Sequence, residues 1–319
     1  MPDTAPLVRS RLDPRKFQDP MTTADGAVRA TVGLGALKTL WFNTGTLCNI
    51  ACRNCYIESS PRNDRLAYLT LDDVRALLDQ IERDGLATEE IGFTGGEPFM
   101  NPAIALMLDL TLARGFRALV LTNAMQPMRH HGADLLKLRS RYGARLAIRV
   151  SLDHYTQAGH EAERGEGTWQ AALGGLKWLS DQGFNPHVAG RSFSGESEAE
   201  LRQGFAALFD ELAIPVDAAA PPTPVLFPEM DARADVPEIT TACWGLLGKS
   251  PGDVMCASSR MVIRRKEALR PSVVACTLLP YDPRFELGAT LADARQPVPL
   301  NHPHCATFCV LGGASCSKP

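Results

Sequence analysis

Three cysteines stand at the spacing Cys48-x3-Cys52-x2-Cys55, just after the apolar segment Leu40-Trp41-Phe42. Three thiolates on one short loop can hold three irons of a 4Fe–4S cluster. The fourth iron is then open to a small molecule, which can receive an electron there. Other chemistries fit this loop less well. A structural zinc site takes four ligands, usually as two close pairs, and the loop holds neither a His nor a fourth Cys. A disulfide framework belongs to an oxidising compartment. The stretch from Met1 to Ala30 is polar and contains proline, with no apolar core or cleavage site to direct export.

A second stretch, Thr94-Gly95-Gly96-Glu97-Pro98, follows the loop. The glycines let backbone approach a ligand without a Cβ in the way. Glu97 adds a carboxylate, and Pro98 stiffens the turn. The cysteine loop, the aromatic Tyr56 directly after it, and this motif in this order resemble the radical S-adenosylmethionine (radical SAM) enzymes. The resemblance implies a cluster on Cys48, Cys52 and Cys55. It also implies that Gly95, Gly96 and Glu97 hold the amino group of S-adenosylmethionine, beside Tyr56. Asn123, at the end of Thr122-Asn123, looks like the polar strand end that family members point at the cofactor. Ser151, in Ser151-Leu152-Asp153, and Arg164, in the loop His160-Glu161-Ala162-Glu163-Arg164-Gly165, are similar to residues that hold the cofactor carboxylate and ribose. A planar guanidinium suits a carboxylate bidentately.

These residues need elements to position them. Strands are expected at 38–44, 91–94, 117–122, 145–151 and 185–190, with a short sixth at 214–217. Between them Thr70 reads as the N-cap of a helix with the buried stripe Val74, Leu77, Leu78, Ile81. Asn101-Pro102 opens another helix, and helices are expected at 168–182 and 196–212. Strand–helix alternation implies a parallel sheet with helices outside. The expected fold is α/β: a partial (β/α)6 barrel at 36–217 with its site at the strand ends. An N-terminal extension at 1–35 precedes it, and a Pro-rich linker at 218–240 follows.

No cysteine occurs between Cys55 and Cys243, and six occur from Cys243 onwards. That distribution suggests two cysteine-dependent sites. Cys256, a hairpin containing Met261–Arg264, Cys276, a Leu-Gly segment and Cys305-x3-Cys309 resemble the auxiliary-cluster domains called SPASM or, when shortened, twitch. The resemblance implies a small cysteine-rich α+β domain at 241–319. Its auxiliary 4Fe–4S cluster would sit on Cys256, Cys276, Cys305 and Cys309, with Cys316 as an alternative ligand and Cys243 as a further candidate. A zinc site on the same thiolates, or a mixed site with His302 or His304, stays open.

The chain has 319 residues and a formal net charge of −3. That charge gives no electrostatic case for nucleic acid, and no apolar run approaches the ~18 residues of a membrane span. A cytoplasmic enzyme is expected. The resemblance implies electron transfer into S-adenosylmethionine from a flavodoxin- or ferredoxin-type reductant, a 5′-deoxyadenosyl radical, and hydrogen abstraction from substrate. The auxiliary cluster would assist oxidation or bond formation. A small-molecule substrate is expected, because ~35 leading residues are few for a peptide-recognition domain. The alternative is a maturase acting on a ribosomally made peptide or protein side chain. A non-catalytic iron–sulfur protein is the rival from another class. Glu58, Asp153, His154, His187, Glu229 and Asp253 are equivalent acid–base candidates, and Arg191, near the fifth strand end, either faces substrate or forms a salt bridge on the barrel rim.

Overall fold

The computed structural model describes residues 11–193, 195–219 and 224–316. In chain order its strands are β1 (Thr31–Val32), β2 (Thr39–Asn43), β3 (Glu90–Thr94), β4 (Arg117–Thr122), β5 (Leu146–Ser151), β6 (His187–Ser192), β7 (Val225–Pro228), β8 (Ser259–Ile263), β9 (Ser272–Val274), β10 (Glu286–Gly288) and β11 (Val298–Pro299). The helices are α1 (Leu71–Arg83), α2 (Ile104–Ala113), α3 (Gln126–His130), α4 (Gly132–Tyr142), α5 (Gln157–Arg164), α6 (Thr168–Asp181), α7 (Glu198–Glu211) and α8 (Cys243–Leu247). A π-helical segment, Cys305–Leu311, follows β11.

One nine-stranded sheet runs β10-β9-β8-β2-β3-β4-β5-β6-β7. From β8 to β7 every neighbouring pair is parallel. The two edges, β10 and β7, are not paired with each other, so the barrel is partial and open. β2 is buried along its whole length, as a strand covered on both faces should be. The helix after it begins as the sequence implies. Thr70 accepts from the Asp73 backbone N–H (3.1 Å), and Asp73 accepts in return from the Thr70 N–H (2.9 Å). Val74, Leu77, Leu78 and Ile81 are its buried stripe. Asn101-Pro102 falls just before α2 rather than inside it. Buried Asn101 instead holds the carbonyls of Thr44 and Leu69 (3.1 and 2.9 Å).

The expected sixth strand is displaced. Residues 214–217 carry no strand; the last parallel strand is β7, which pairs with β6 from within the stretch read as a linker. The reason lies at the end of α7. Ala213 takes a left-handed conformation (φ 50°), its N–H reaches Asp210 O, and the N–H of Ile214 reaches Phe209 O. That pattern is a Schellman motif, and the apolar residue after its left-handed turn packs back on the helix. Residues 220–223 of the stretch lie outside the described residues.

The cysteine-rich region continues the barrel sheet. β8 pairs in parallel with β2, and β9 and β10 add antiparallel strands beyond it. The lead-in also has a place: β1 pairs with β11, and buried Arg29 bonds Glu238 at 2.5 Å. Residues 1–10 of the extension are outside the described residues. Among the described residues no helix is long and apolar enough to cross a membrane.

Candidate active site

The loop after β2 carries the three cysteines, and the loops after β3 and β4 hold it in place. The Gly96 N–H donates to Gly45 O (2.8 Å) and the Glu97 N–H to Leu47 O (3.1 Å). Gly95 sits at φ +136°. A Cβ on Gly95 would come within 2.5 Å of Gly45 O, and one on Gly96 within 2.0 Å of Leu47 O. The glycines therefore admit the cysteine loop itself; a side chain there would strike that loop and not the cavity.

Glu97 is fully buried and turned away from the cavity expected to hold the cofactor. Its carboxylate accepts from Thr122 Oγ1 (2.8 Å), the Asn123 N–H (2.8 Å) and the Phe99 N–H (3.2 Å). Burial pushes its pKa up to about 7, against these three donors. Its position makes it a brace between the ends of β3 and β4. Asn123, braced in this way, donates to Asn49 Oδ1 at 2.8 Å inside the cysteine loop.

Cys48, Cys52, Cys55, Tyr56, Gly95, Gly96, Asn123, Ser151 and Arg164 all line one cavity, together with Asp153, Arg191, Thr277 and Cys316. It holds about 1020 Å³ of space between the atoms, including its open mouth. Arg164, at the end of α5, donates to Asp153 Oδ1 at 3.0 Å. Asp153 Oδ2, Arg164 Nε and Arg191 Nε are buried without a hydrogen-bond partner. Buried polar atoms in native structures are nearly always paired, so these mark where a polar ligand is missing its contacts. Of the acid–base candidates, Asp153 alone lines this cavity; His154 instead bonds Glu196 (2.8 Å) and Thr156 (2.9 Å).

A network centred on the Arg191–Glu163 salt bridge fixes the underside of the loop. Arg191, on β6, donates to Glu163 Oε2 (3.0 Å) and Asn54 O (3.1 Å). Its guanidinium lies 4.8 Å from the Tyr56 ring centroid. Asn54 Nδ2 also bonds Glu163, and the Arg53 N–H donates to Glu163 O at 2.7 Å. The Tyr56 hydroxyl donates to Pro228 O on β7 (3.1 Å).

The remaining thiols sort into three places. Cys256, before β8, Cys276, after β9, and Cys305 and Cys309, on the π-helical segment, share a second, apolar pocket with His304. Cys316 lines the first cavity and lies near enough to Cys276 and Cys309 to contribute to raising both thiols. Cys243 lies on α8 in neither, its sulfur 3.4 Å from Thr240 N. His302 does not line the pocket; its Nδ1 accepts from the His304 N–H. Burial pushes the Cys48 and Cys276 thiols up to about 12 and Cys256 up to about 11. Such thiols ionise only against a strong local positive charge, which bound metal supplies.

Three thiols meet at one wall of a cavity with unpaired polar atoms, which fits a cluster with a ligand on its open iron. Among the described residues no group of three or more His, Cys, Asp or Glu is set to hold a single metal ion.

An open parallel barrel whose strand ends gather three thiols and a glycine-braced loop is the architecture of a cofactor-dependent radical enzyme. The Radical SAM superfamily model matches residues 42–201, and the chain belongs to that superfamily. It is 33% identical over 143 residues to the antilisterial bacteriocin subtilosin biosynthesis protein AlbA of Bacillus subtilis, a match covering 44% of this chain and 30% of AlbA. It is 28% identical over 152 residues to the mycofactocin maturase MftC of Mycolicibacterium smegmatis, covering 48% of this chain and 36% of MftC. The chain thus matches about a third of these relatives' lengths. Native anSMEcpe with bound S-adenosylmethionine and Cp18Cys peptide superposes with a TM-score of 0.56 at 13% identity, covering 80% of this chain and 79% of that one. Members of the superfamily use a 4Fe–4S cluster and S-adenosylmethionine.

Proposed function

We propose that the protein is a radical SAM maturase that modifies a ribosomally made peptide or protein side chain. When bound, the cluster and S-adenosylmethionine supply a 5′-deoxyadenosyl radical that abstracts a hydrogen from substrate. Cys48, Cys52 and Cys55 would hold the cluster. The backbone of Gly95 and Gly96, with Asn123, Ser151 and Arg164, would orient S-adenosylmethionine along the cavity wall. Arg164 arrives there paired to Asp153, so the pair would present one guanidinium edge and one carboxylate oxygen. Glu97 acts one step removed, by fixing Asn123 and the cysteine loop. Tyr56 and Arg191 close the floor and exclude water. Cys256, Cys276, Cys305 and Cys309 would hold a second cluster that exchanges electrons with the cavity, in the manner of a SPASM or twitch region. A flavodoxin- or ferredoxin-type protein would be the reductant.

The observation that carries a peptide over the expected small molecule is the similarity to a bacteriocin biosynthesis protein. The peptide-bound anSMEcpe structure of the same fold is consistent with it. The test is an anaerobic incubation of the reconstituted, dithionite-reduced protein with S-adenosylmethionine and candidate precursor peptides encoded beside its gene. Peptide-stimulated 5′-deoxyadenosine with a covalently altered peptide is the expected result. Formation of 5′-deoxyadenosine with every peptide left intact would return the small-molecule reading; none at all would remove the radical one.

A further inference from the structure

Arg260, on β8, is 0% exposed. Among the described residues its guanidinium bonds carbonyls alone. Nε donates to Ala294 O (2.8 Å), Nη1 to Cys256 O (2.5 Å) and Ser259 O (2.8 Å), and Nη2 to Gln296 O (3.4 Å). Buried Arg29 and Arg191, by contrast, each face a carboxylate, Glu238 and Glu163. Carbonyl oxygens satisfy N–H groups but leave the net charge uncompensated, and a buried charge without a counter-ion is strongly unfavourable. A guanidinium cannot shed its proton to escape that cost. Burial works against its charge, and the groups that act to favour it are the Cys256 and Cys276 thiols. These are two of the four cysteines of the second pocket, whose wall otherwise holds only His304 and apolar side chains. Arg284, which acts in the same way with Cys305, is already paired to Asp282 at 2.6 Å.

We propose that Arg260 is the built-in counter-charge of the second thiol site and raises its reduction potential. This rests on those four thiols holding a 4Fe–4S cluster and not on the identity of the substrate. A 4Fe–4S core on four thiolates is a dianion when oxidised and a trianion when reduced. A fixed cation beside Cys256 therefore favours the loaded pocket over the empty one, and the reduced cluster over the oxidised one. Cluster potentials follow net charge, burial and hydrogen bonds to sulfur. In a pocket with an apolar wall one fixed charge counts for more than it would in water. Reduction adds one electron to the cluster and moves no proton, so the guanidinium offsets the added negative charge directly. Arg260 touches no reacting atom; it acts through the cluster, as a residue that sets its potential.

The test reads the second site alone, in the full chain with Cys48, Cys52 and Cys55 changed to Ala, reconstituted anaerobically. The midpoint of its EPR signal is measured by dithionite titration for that chain and for the same chain carrying Arg260→Gln or Arg260→Lys. Gln keeps N–H donors for the carbonyls and removes the charge; Lys keeps the charge and gives up the planar fork. At a fixed potential Arg260→Gln is expected to lower the ratio of reduced to oxidised cluster about tenfold or more, a shift of ~59 mV for one electron, at unchanged iron content. Arg260→Lys is expected to stay near the parent value. A Gln chain that holds no iron beside a Lys chain that does would also support the proposal, because the charge and not the fork then decides. Equal midpoints with Arg260 and with Gln, or an equal loss of potential or iron in Gln and Lys, would overturn it and make Arg260 a tie between carbonyls. No iron and no signal in the triple-alanine parent would overturn the second-cluster reading and this proposal with it, while the reading of the three-cysteine loop stands.

Discussion

Glu97 offers a quantitative test of the site's construction. It is the acidic residue of the Gly-Gly-Glu-Pro motif, and it is buried at 1% exposure. Burial raises its pKa from the ordinary 4.5 to about 7. The folded state therefore binds the proton more tightly than the unfolded chain. The resulting stability is fully present below pH 4.5 and is lost as pH rises through about 7. At ~1.4 kcal/mol per pH unit the whole effect is about 3 kcal/mol, of which about 2.5 kcal/mol falls between pH ~5 and ~8. Glu97→Gln removes the titration. It sets one amide N–H against the Asn123 N–H, a constant cost of about 1–3 kcal/mol. Buried His160, His302 and His304 have lowered pKa values, so they gain stability as pH rises and oppose the trend in both proteins. The quantity to measure is thus the difference between wild type and Glu97→Gln, from urea unfolding of the cluster-free proteins at the two pH values. The wild-type advantage should shrink by about 2–3 kcal/mol on going from pH ~5 to ~8. An advantage that stays constant would refute the buried brace and put Glu97 in contact with solvent or cofactor.

Arg191→Ala leaves Glu163 buried without its charge partner and removes the hold on Asn54 O, so it should cost about 3–5 kcal/mol of stability. Thermal unfolding with iron analysis checks this, and iron should be lost from the three-cysteine loop in preference to the second pocket. Gly96→Ala drives a Cβ into Leu47 O and should cost about 1–3 kcal/mol while displacing the cysteine loop; lowered iron and a lowered urea midpoint are the readouts. Changing Cys48, Cys52 and Cys55 together to Ala should leave about four irons and a 4Fe–4S EPR signal from the second pocket. An iron-free variant would mean that those four thiols hold no cluster. Cys243→Ser should change neither iron content nor signal.

The parts of this site that were legible in the sequence are those set by local spacing. The three-cysteine loop, the glycine motif and the α1 N-cap each lie within a dozen residues; the Thr70 N-cap and the buried stripe behind it formed as their pattern implied. The sixth strand was misplaced because a short apolar run serves a Schellman turn as well as it serves a strand. Periodicity cannot separate the two over four residues. The Arg191–Glu163–Asn54 network was invisible for another reason: Arg191 meets partners 28 and 137 residues away in the chain. No local signal encodes such a meeting. The sorting of Cys243, Cys256, Cys276, Cys305, Cys309 and Cys316 also depended on tertiary placement. The β8–β9 hairpin and the π-helical segment bring four of them together, and the segment beyond Gly312 carries Cys316 to Thr277.

The glycine motif lines the cavity through Gly95 and Gly96 and at the same time packs against the cysteine loop. The family resemblance implies that Gly95, Gly96 and Glu97 hold the amino group of S-adenosylmethionine. The structure divides the work. The missing side chains of Gly95 and Gly96 make room for Gly45 and Leu47. The carboxylate of Glu97 holds Thr122, Asn123 and Phe99. What these residues have in common is that each draws another strand-end loop against the cysteine loop. A cluster held by three thiols on a mobile loop would sample many geometries, and radical transfer demands one. The fixed spacing between the cysteine loop and the glycine motif is therefore a requirement of preorganisation: the β3 loop must be present, Cβ-free and anchored to β4 before the thiols can hold one arrangement. By the same argument, substitutions at Thr122 should disturb the three-cysteine site although that side chain donates to Glu97 and touches no thiol. Thr122→Val keeps the volume and removes one of the three donors to Glu97. It should raise the carboxylate's pKa further and loosen the loop, read as faster iron loss to a chelator with the second pocket unaffected. Equal chelation rates in wild type and Thr122→Val would show that the loop is held by its backbone bonds to Gly96 and Glu97 alone.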